Sequence, residues 1–400
     1  MKKIFLKRVG ILMMAGLLLT GCSNQGAQAN ASEVSQSVSQ EGGAPDQETG
    51  TQSQDSQKEE SSMANPIDEA IALETSKVDD APVEAKTEEE RVPTAEVGDK
   101  IPVKYVSLRV VDCGKIEKIT YTSHDYFGDG AEVEKAANVY LPAGYDPSKK
   151  YNVLYLMHGI GGDENEWGMT GSSSRVKCIM DNLSYYGDIE SFIVVTPNGR
   201  SAANHAANGS DFNSFYVFGQ ELRNDLIPYI ESHYSTYASE ALASAGIDAI
   251  TAEVDEAAFA DQKANADVDA MNKALQDSRD HRAMAGLSMG GMQTINIGIG
   301  ECVDIISYFG AFSAAPTSNP ASMTAQLLKD NTYPIHYFYN ICGLQDGVAY
   351  ASASAAAKNL PLVCDQFVAG ENFTWQEQAG NHDFNIWYLG FYNFAQIAFK

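Results

Sequence analysis

The stretch Ala285-Gly286-Leu287-Ser288-Met289-Gly290-Gly291 constrains this chain more than any other. Arg282-Ala283-Met284-Ala285 reads as a short apolar strand, and Met292 to Ile299 as a helix with its apolar face turned inward. A buried strand that enters a helix through Gly-x-Ser-x-Gly must turn sharply. The turn holds the serine at strained backbone angles with its hydroxyl above the sheet. Glycines at 286 and 290 leave room where side chains would collide with the neighbouring strand or helix, and Gly291 adds slack at the helix start. Ser288 is therefore a candidate nucleophile, and the string's context has to carry the assignment.

That context begins upstream. Val103 to Val111 and Ile116 to Ser123 alternate apolar and polar residues as edge strands do, and Ala136 to Leu141 reads as another strand. Tyr151 to Met157 is continuously apolar, as in a strand buried on both faces, and it delivers the chain to His158-Gly159-Ile160-Gly161-Gly162. Glycine-rich backbone after an early central strand can bring an amide close to a carbonyl oxygen. Ile160 or Gly161, together with Met289 after the nucleophile, are the expected oxyanion donors. His158 precedes the nucleophile and reads as a histidine that orders this loop. Ser191 to Pro197 is the next buried strand. The loop 202–219 carries Phe212, Phe215, Tyr216 and Phe218, which could stack on a substrate ring or form the loop's own small core. Glu221 to His233 has helical periodicity with a kink expected at Pro228.

A serine hydroxyl needs a histidine to take its proton, and the histidine needs a carboxylate to fix its tautomer. In strand-elbow-helix hydrolases these follow in the order Ser, Asp or Glu, His. Only His336 and His382 lie after Ser288. His336 falls within the predicted strand Ile335 to Cys342. His382 stands on a Gly-Asn loop after the predicted last strand, Phe373 to Glu377, and before the apolar helix Ile386 to Phe399. Between them Asp330 and Asp365 precede strands, whereas Asp346 follows one, at the carboxyl end where catalytic groups gather in open α/β sheets. Ser288, Asp346 and His382 form the expected triad.

Four motifs in this order carry a family resemblance: His158-Gly-Ile-Gly-Gly with Trp167, Gly286-Leu-Ser-Met-Gly-Gly, Cys342-Gly-x-x-Asp346 and Asn381-His382-Asp-Phe-x-x-Trp387. Over residues 105–400 the chain resembles the Putative esterase family, the esterase D type carbohydrate esterases that include feruloyl and acetylxylan esterases. The resemblance implies an α/β-hydrolase fold, with a mostly parallel central sheet and helices on both faces. It also implies hydrolysis of feruloyl or acetyl esters on plant polysaccharides without a metal or organic cofactor. The pocket candidates are His158, Trp167, Phe215, Tyr216 and Trp387. Two neighbouring readings remain: an acyltransferase of the mycolyltransferase kind, which passes the acyl group to a sugar, and a carbohydrate-binding lipoprotein, which is expected to lack a triad member.

Lys2, Lys3, Lys7 and Arg8 precede the apolar run Val9 to Leu19, too short for a stable span, which ends in Leu19-Thr20-Gly21-Cys22. This resembles a bacterial lipobox, giving a signal peptide at 1–21, lipidation at Cys22 and a membrane-anchored, extracytoplasmic protein. Residues 22–100 read as a disordered acidic tether, with 18 acidic and 5 basic residues in 23–100. The enzyme domain is then 101–400, with an Ala-rich insertion at 240–280 that could be a lid or a plain surface addition. The net charge of -26 argues against a nucleic-acid partner. No Cys-x-x-Cys or Cys/His spacing suggests zinc, and a Cys342–Cys364 disulfide is open. No motif speaks to oligomeric state.

Overall fold

The computed structural model describes residues 97–252 and 254–400. The expected signal peptide, Cys22 and nearly all of the expected tether lie outside the described residues.

Eight strands make one sheet in the order β1-β2-β4-β3-β5-β6-β7-β8. They are β1 Lys115–His124, β2 Glu132–Leu141, β3 Val153–Met157, β4 Ile193–Pro197, β5 Arg282–Leu287, β6 Tyr308–Phe312, β7 Tyr337–Gly343 and β8 Phe373–Gln378. The first two run antiparallel, β2 against β4, and β4 through β8 form a parallel block. Every residue of β3, β4, β5 and β6 is buried, as expected of parallel strands covered on both faces.

Alternation along the strands divides the interior into two cores. Tyr155, Met157, Met284 and Phe309 face one side; Leu154, Leu156, Ala285 and Phe312 face the other. The first core is closed by Leu222, Leu226, Ile227 and Ile230 and by Met271 and Leu275. The second is closed by the helices Arg175–Tyr185 and Phe384–Ile397. In Arg175–Tyr185, Val176, Ile179, Met180 and Leu183 make one apolar stripe. Ser174 caps its start by accepting from the Lys177 amide, and Gly187, at φ 72°, ends it. This is the expected α/β-hydrolase arrangement.

One local expectation is corrected, and two others gain detail. Val103 to Val111 is not a strand: Pro102 starts a single helical turn, Val103–Val106, and Val110 and Val111 are exposed on the loop beyond. The Pro228 kink takes another form. A π-turn at Leu222–Leu226 runs directly into Ile227–His233, so the proline, the second residue of the latter, stands where the helix passes from π to α geometry. Cys342 and Cys364 are not bonded, and all five cysteines among the described residues are free.

The insertion forms Ser239–Ser244, Glu256–Asn265 and Val268–Asp277. Phe259 packs on Tyr229 and His233, Lys263 pairs with buried Asp225, and the last helix leads to the start of β5, the end opposite Ser288. These contacts brace the helical layer beside the sheet. At that same end Arg282 is fully buried in a two-bond pair with Glu231, at 2.5 and 2.9 Å.

Candidate active site

Strand β5 ends where Ser288 takes φ 51° and ψ -112°, the strained elbow expected from Gly-x-Ser-x-Gly. Such a conformation costs about 1–3 kcal/mol and has to be imposed by its surroundings. Three backbone bonds impose it: the Ser288 amide donates to Phe312 O (2.9 Å), and its carbonyl accepts from Met292 (3.0 Å) and Ala315 (2.9 Å). The flanking glycines are needed for close approach. A Cβ on Gly286 would stand 2.6 Å from the Gly290 carbonyl carbon, and one on Gly290 would stand 2.5 Å from Met157 O.

The carboxyl ends of β7 and β8 bring the other two groups to the serine. His382 Nε2 lies 3.0 Å from Ser288 Oγ, and its Nδ1 lies 2.8 Å from Asp346 Oδ2. Their loops are stitched together: the Leu344 amide donates to Gln378 O (2.7 Å), the Gln345 amide to Gly380 O (2.9 Å) and the Gly380 amide to Gln345 Oε1 (2.8 Å). Asp346 Oδ1 accepts from the amides of Val348 (2.9 Å) and Ala349 (2.8 Å), and the Cys342 thiol donates to Oδ2 at 3.5 Å. Burial pushes the Asp346 carboxyl up, but the Ala349 amide and His382 outweigh it and hold the group below the usual range. The carboxylate is thus charged at neutral pH and fixes His382 with its proton on Nδ1, leaving Nε2 to accept from Ser288.

The glycine-rich loop after β3 faces the elbow. A Cβ on Gly159 would lie 3.4 Å from Ser288 Cβ. The amides of Ile160, Gly161 and Met289 donate to no acceptor among the described residues. Three side chains shape the loop from behind. His158 Nδ1 donates to Gly159 O (2.7 Å), and its Nε2 accepts from the Gly199 amide (2.8 Å). Burial lowers its pKa to about 4, so the ring is neutral. The buried Arg200 guanidinium donates to the carbonyls of Ile160 and Gly162, and Glu166 Oε2 accepts from the Gly159 amide at 2.5 Å. Burial raises the Glu166 carboxyl. Arg200 and Glu166 escaped the sequence reading. The only signals were a basic residue just after the strand-ending Pro197-Asn198-Gly199 and an acid just before Trp167.

The pocket candidates divide. Trp167 is fully buried, donates through Nε1 to Met157 O (3.0 Å) and packs on Phe312, Phe384 and Phe391, so it belongs to the core. Phe215 is likewise buried, edge-on to His158 and beneath Arg200, and with His158 it supports the loop without lining a pocket. Tyr216 and Ile160 are partly buried around Met289. Trp387 stands edge-to-face with His382, centroids 5.1 Å apart, and is itself buried.

The chain is 33% identical over 257 residues to endo-1,4-beta-xylanase Y of Acetivibrio thermocellus, a match covering 62% of this chain and 19% of that protein. It thus spans about a fifth of that relative's length. Among solved structures it is similar to the feruloyl esterase module of Clostridium thermocellum, determined with sinapinate. There the TM-score is 0.56 and identity 26%, over 75% of this chain and 93% of that one. It is similar also to the ferulic acid esterase of the anaerobic fungus Anaeromyces mucronatus, with TM-score 0.57 and 26% identity over 76% and 98%. Residues 131–247 match the family described as Putative esterase, and the chain has an α/β-hydrolase fold.

Proposed function

We propose that the protein is a serine carboxylesterase that removes feruloyl groups from ester-decorated plant polysaccharide. The observation that carries this reading is the continuous line from Asp346 through His382 to Ser288, with spacings of 2.8 and 3.0 Å. Kinship with xylanase-linked and feruloyl esterase modules supports the choice of substrate. His382 takes the Ser288 proton as Oγ attacks the ester carbonyl. The Met289 amide, with that of Ile160 or Gly161, holds the developing oxyanion. Collapse expels the sugar alcohol, which leaves with the proton from His382, and the acyl group stays on Ser288. Water, deprotonated by the same imidazole, then releases the acid. Upstream, Leu19-Thr20-Gly21-Cys22 supports an extracytoplasmic enzyme tethered through a lipidated Cys22.

The test compares rates on methyl ferulate, acetylated xylan and p-nitrophenyl acetate for the native chain and Ser288→Ala. Preference for methyl ferulate and loss of turnover in the variant are expected. Activity confined to acetyl esters overturns the feruloyl assignment, and a Ser288→Ala protein that still turns over overturns the nucleophile.

A further inference from the structure

Beside the elbow lies a concavity of about 530 Å3 that none of Ser288, Asp346 and His382 lines. It is bounded by the segment after β6, the start of the helix Ala321–Leu327, the middle of β7 and the helix Tyr350–Val363. Its volume falls in the range of small-molecule sites. The helix leaves it open because it is built from small residues: Ala353 and Ala356 face the space, while Ala357 and Leu360 go into the core. Small residues alone could be loose packing. Asn340 is the second observation.

Asn340 sits on β7, is 2% exposed and lines the cavity. Its carboxamide makes no hydrogen bond within the described residues, and Oδ1 is buried without a partner. Buried amides are ordinarily satisfied, and one left open on a central strand costs stability unless something else meets it. The group offers a donor pair and an acceptor side by side. No acidic, basic or aromatic side chain lines the space. Nothing there recognises an anion, a cation or a planar ring. Ala314, Pro316 and Val363 supply apolar walls, and Asn359 adds a second neutral amide. A ligand matching this has adjacent hydroxyls along one edge and C–H faces on its flanks.

We propose that the cavity is a second binding site, taking a neutral saccharide of one or two pyranose units through Asn340. The choice of saccharide over another neutral polyol rests on the carbohydrate ester reading above. The site also touches the elbow's supports. A Cβ on Gly291 would meet Ala314 Cα at 2.9 Å, and the next amide, Ala315, holds the Ser288 carbonyl. A sugar bound here would rest on the segment that carries the nucleophile.

The test uses the purified full chain with xylobiose as probe. Crystals soaked in xylobiose should contain it with hydroxyls on Asn340. Saturation-transfer NMR should give an affinity that falls about tenfold or more in both Asn340→Leu and Ala356→Phe. Asn340→Leu should melt no lower than the native chain, because it removes an amide that has no bond to lose, which separates lost binding from lost fold. Ordered water alone beside Asn340, or xylobiose binding that survives both substitutions, overturns the proposal. Methyl ferulate turnover is measured on the same preparation. Turnover with an empty cavity overturns the saccharide site alone, and an occupied cavity without turnover overturns the feruloyl esterase reading alone.

Discussion

Lowering the pH should loosen the glycine-rich loop after β3 through His158 before it reaches the Asp346 carboxylate. The ring is buried, its Nε2 accepts from the Gly199 amide, and its pKa is lowered from 6.5 to about 4. Protonation would turn that acceptor into a donor facing a donor. Between these two values the unfolded chain binds the proton and the folded chain does not, so stability rises with pH across this window. The contribution is fully present above about 6.5 and is lost as the pH falls toward 4. At about pH 4.5 the loss amounts to roughly 2–3 kcal/mol. For a folded unit of roughly 300 residues that lowers the melting temperature by about 4 °C. His158→Gln keeps an acceptor for Gly199 without titrating. Calorimetric melting of the native chain and the variant at about pH 7.5 and 4.5 isolates the effect from other acids. The native protein should lose about 4 °C more than the variant between the two conditions. Equal losses would refute a neutral buried His158 as the group responsible.

Three further outcomes follow from contacts already described. Asp346→Asn puts an amide donor against the His382 Nδ1 proton and favours the wrong tautomer; kcat on methyl ferulate should fall roughly 10⁴-fold with melting little changed. Gly290→Ala drives a methyl into Met157 O; urea unfolding should show a loss of about 1–3 kcal/mol, with activity reduced because the elbow shifts against β3. Glu231→Ala strands the buried Arg282 guanidinium and should cost about 3–5 kcal/mol by the same measurement, while kcat of the folded fraction is retained, since the pair lies at the opposite end of β5 from Ser288.

The residues that meet at Ser288 were legible because each stands in a position with a local signature. A glycine-flanked serine follows a buried strand, an aspartate follows a strand's carboxyl end, and a histidine follows the last strand. The parallel strands were legible for a similar reason, since continuous apolar runs such as Val153–Met157 suit few other environments. What shapes the loops was not. Arg200 reaches carbonyls some forty positions away, and nothing in the sequence near it names them. Phe215 and Trp167 looked available because they sit in polar loops, but only tertiary packing decides whether a loop aromatic turns outward or inward. Val103 to Val111 misled through its alternation, where Pro102 favoured a helical turn instead.

The position of His382 ties the base beside Ser288 to the packing of one helix. It immediately precedes the helix Phe384–Ile397, whose Phe391 and Phe394 fill the second core and whose Asn393 clasps Gly98 through both its carbonyl and its amide. With that helix undocked, nothing would hold the His382 imidazole beside Ser288. Under the proposed chemistry, a molecule in which that helix has come away from the core keeps its serine but loses the base that would activate it.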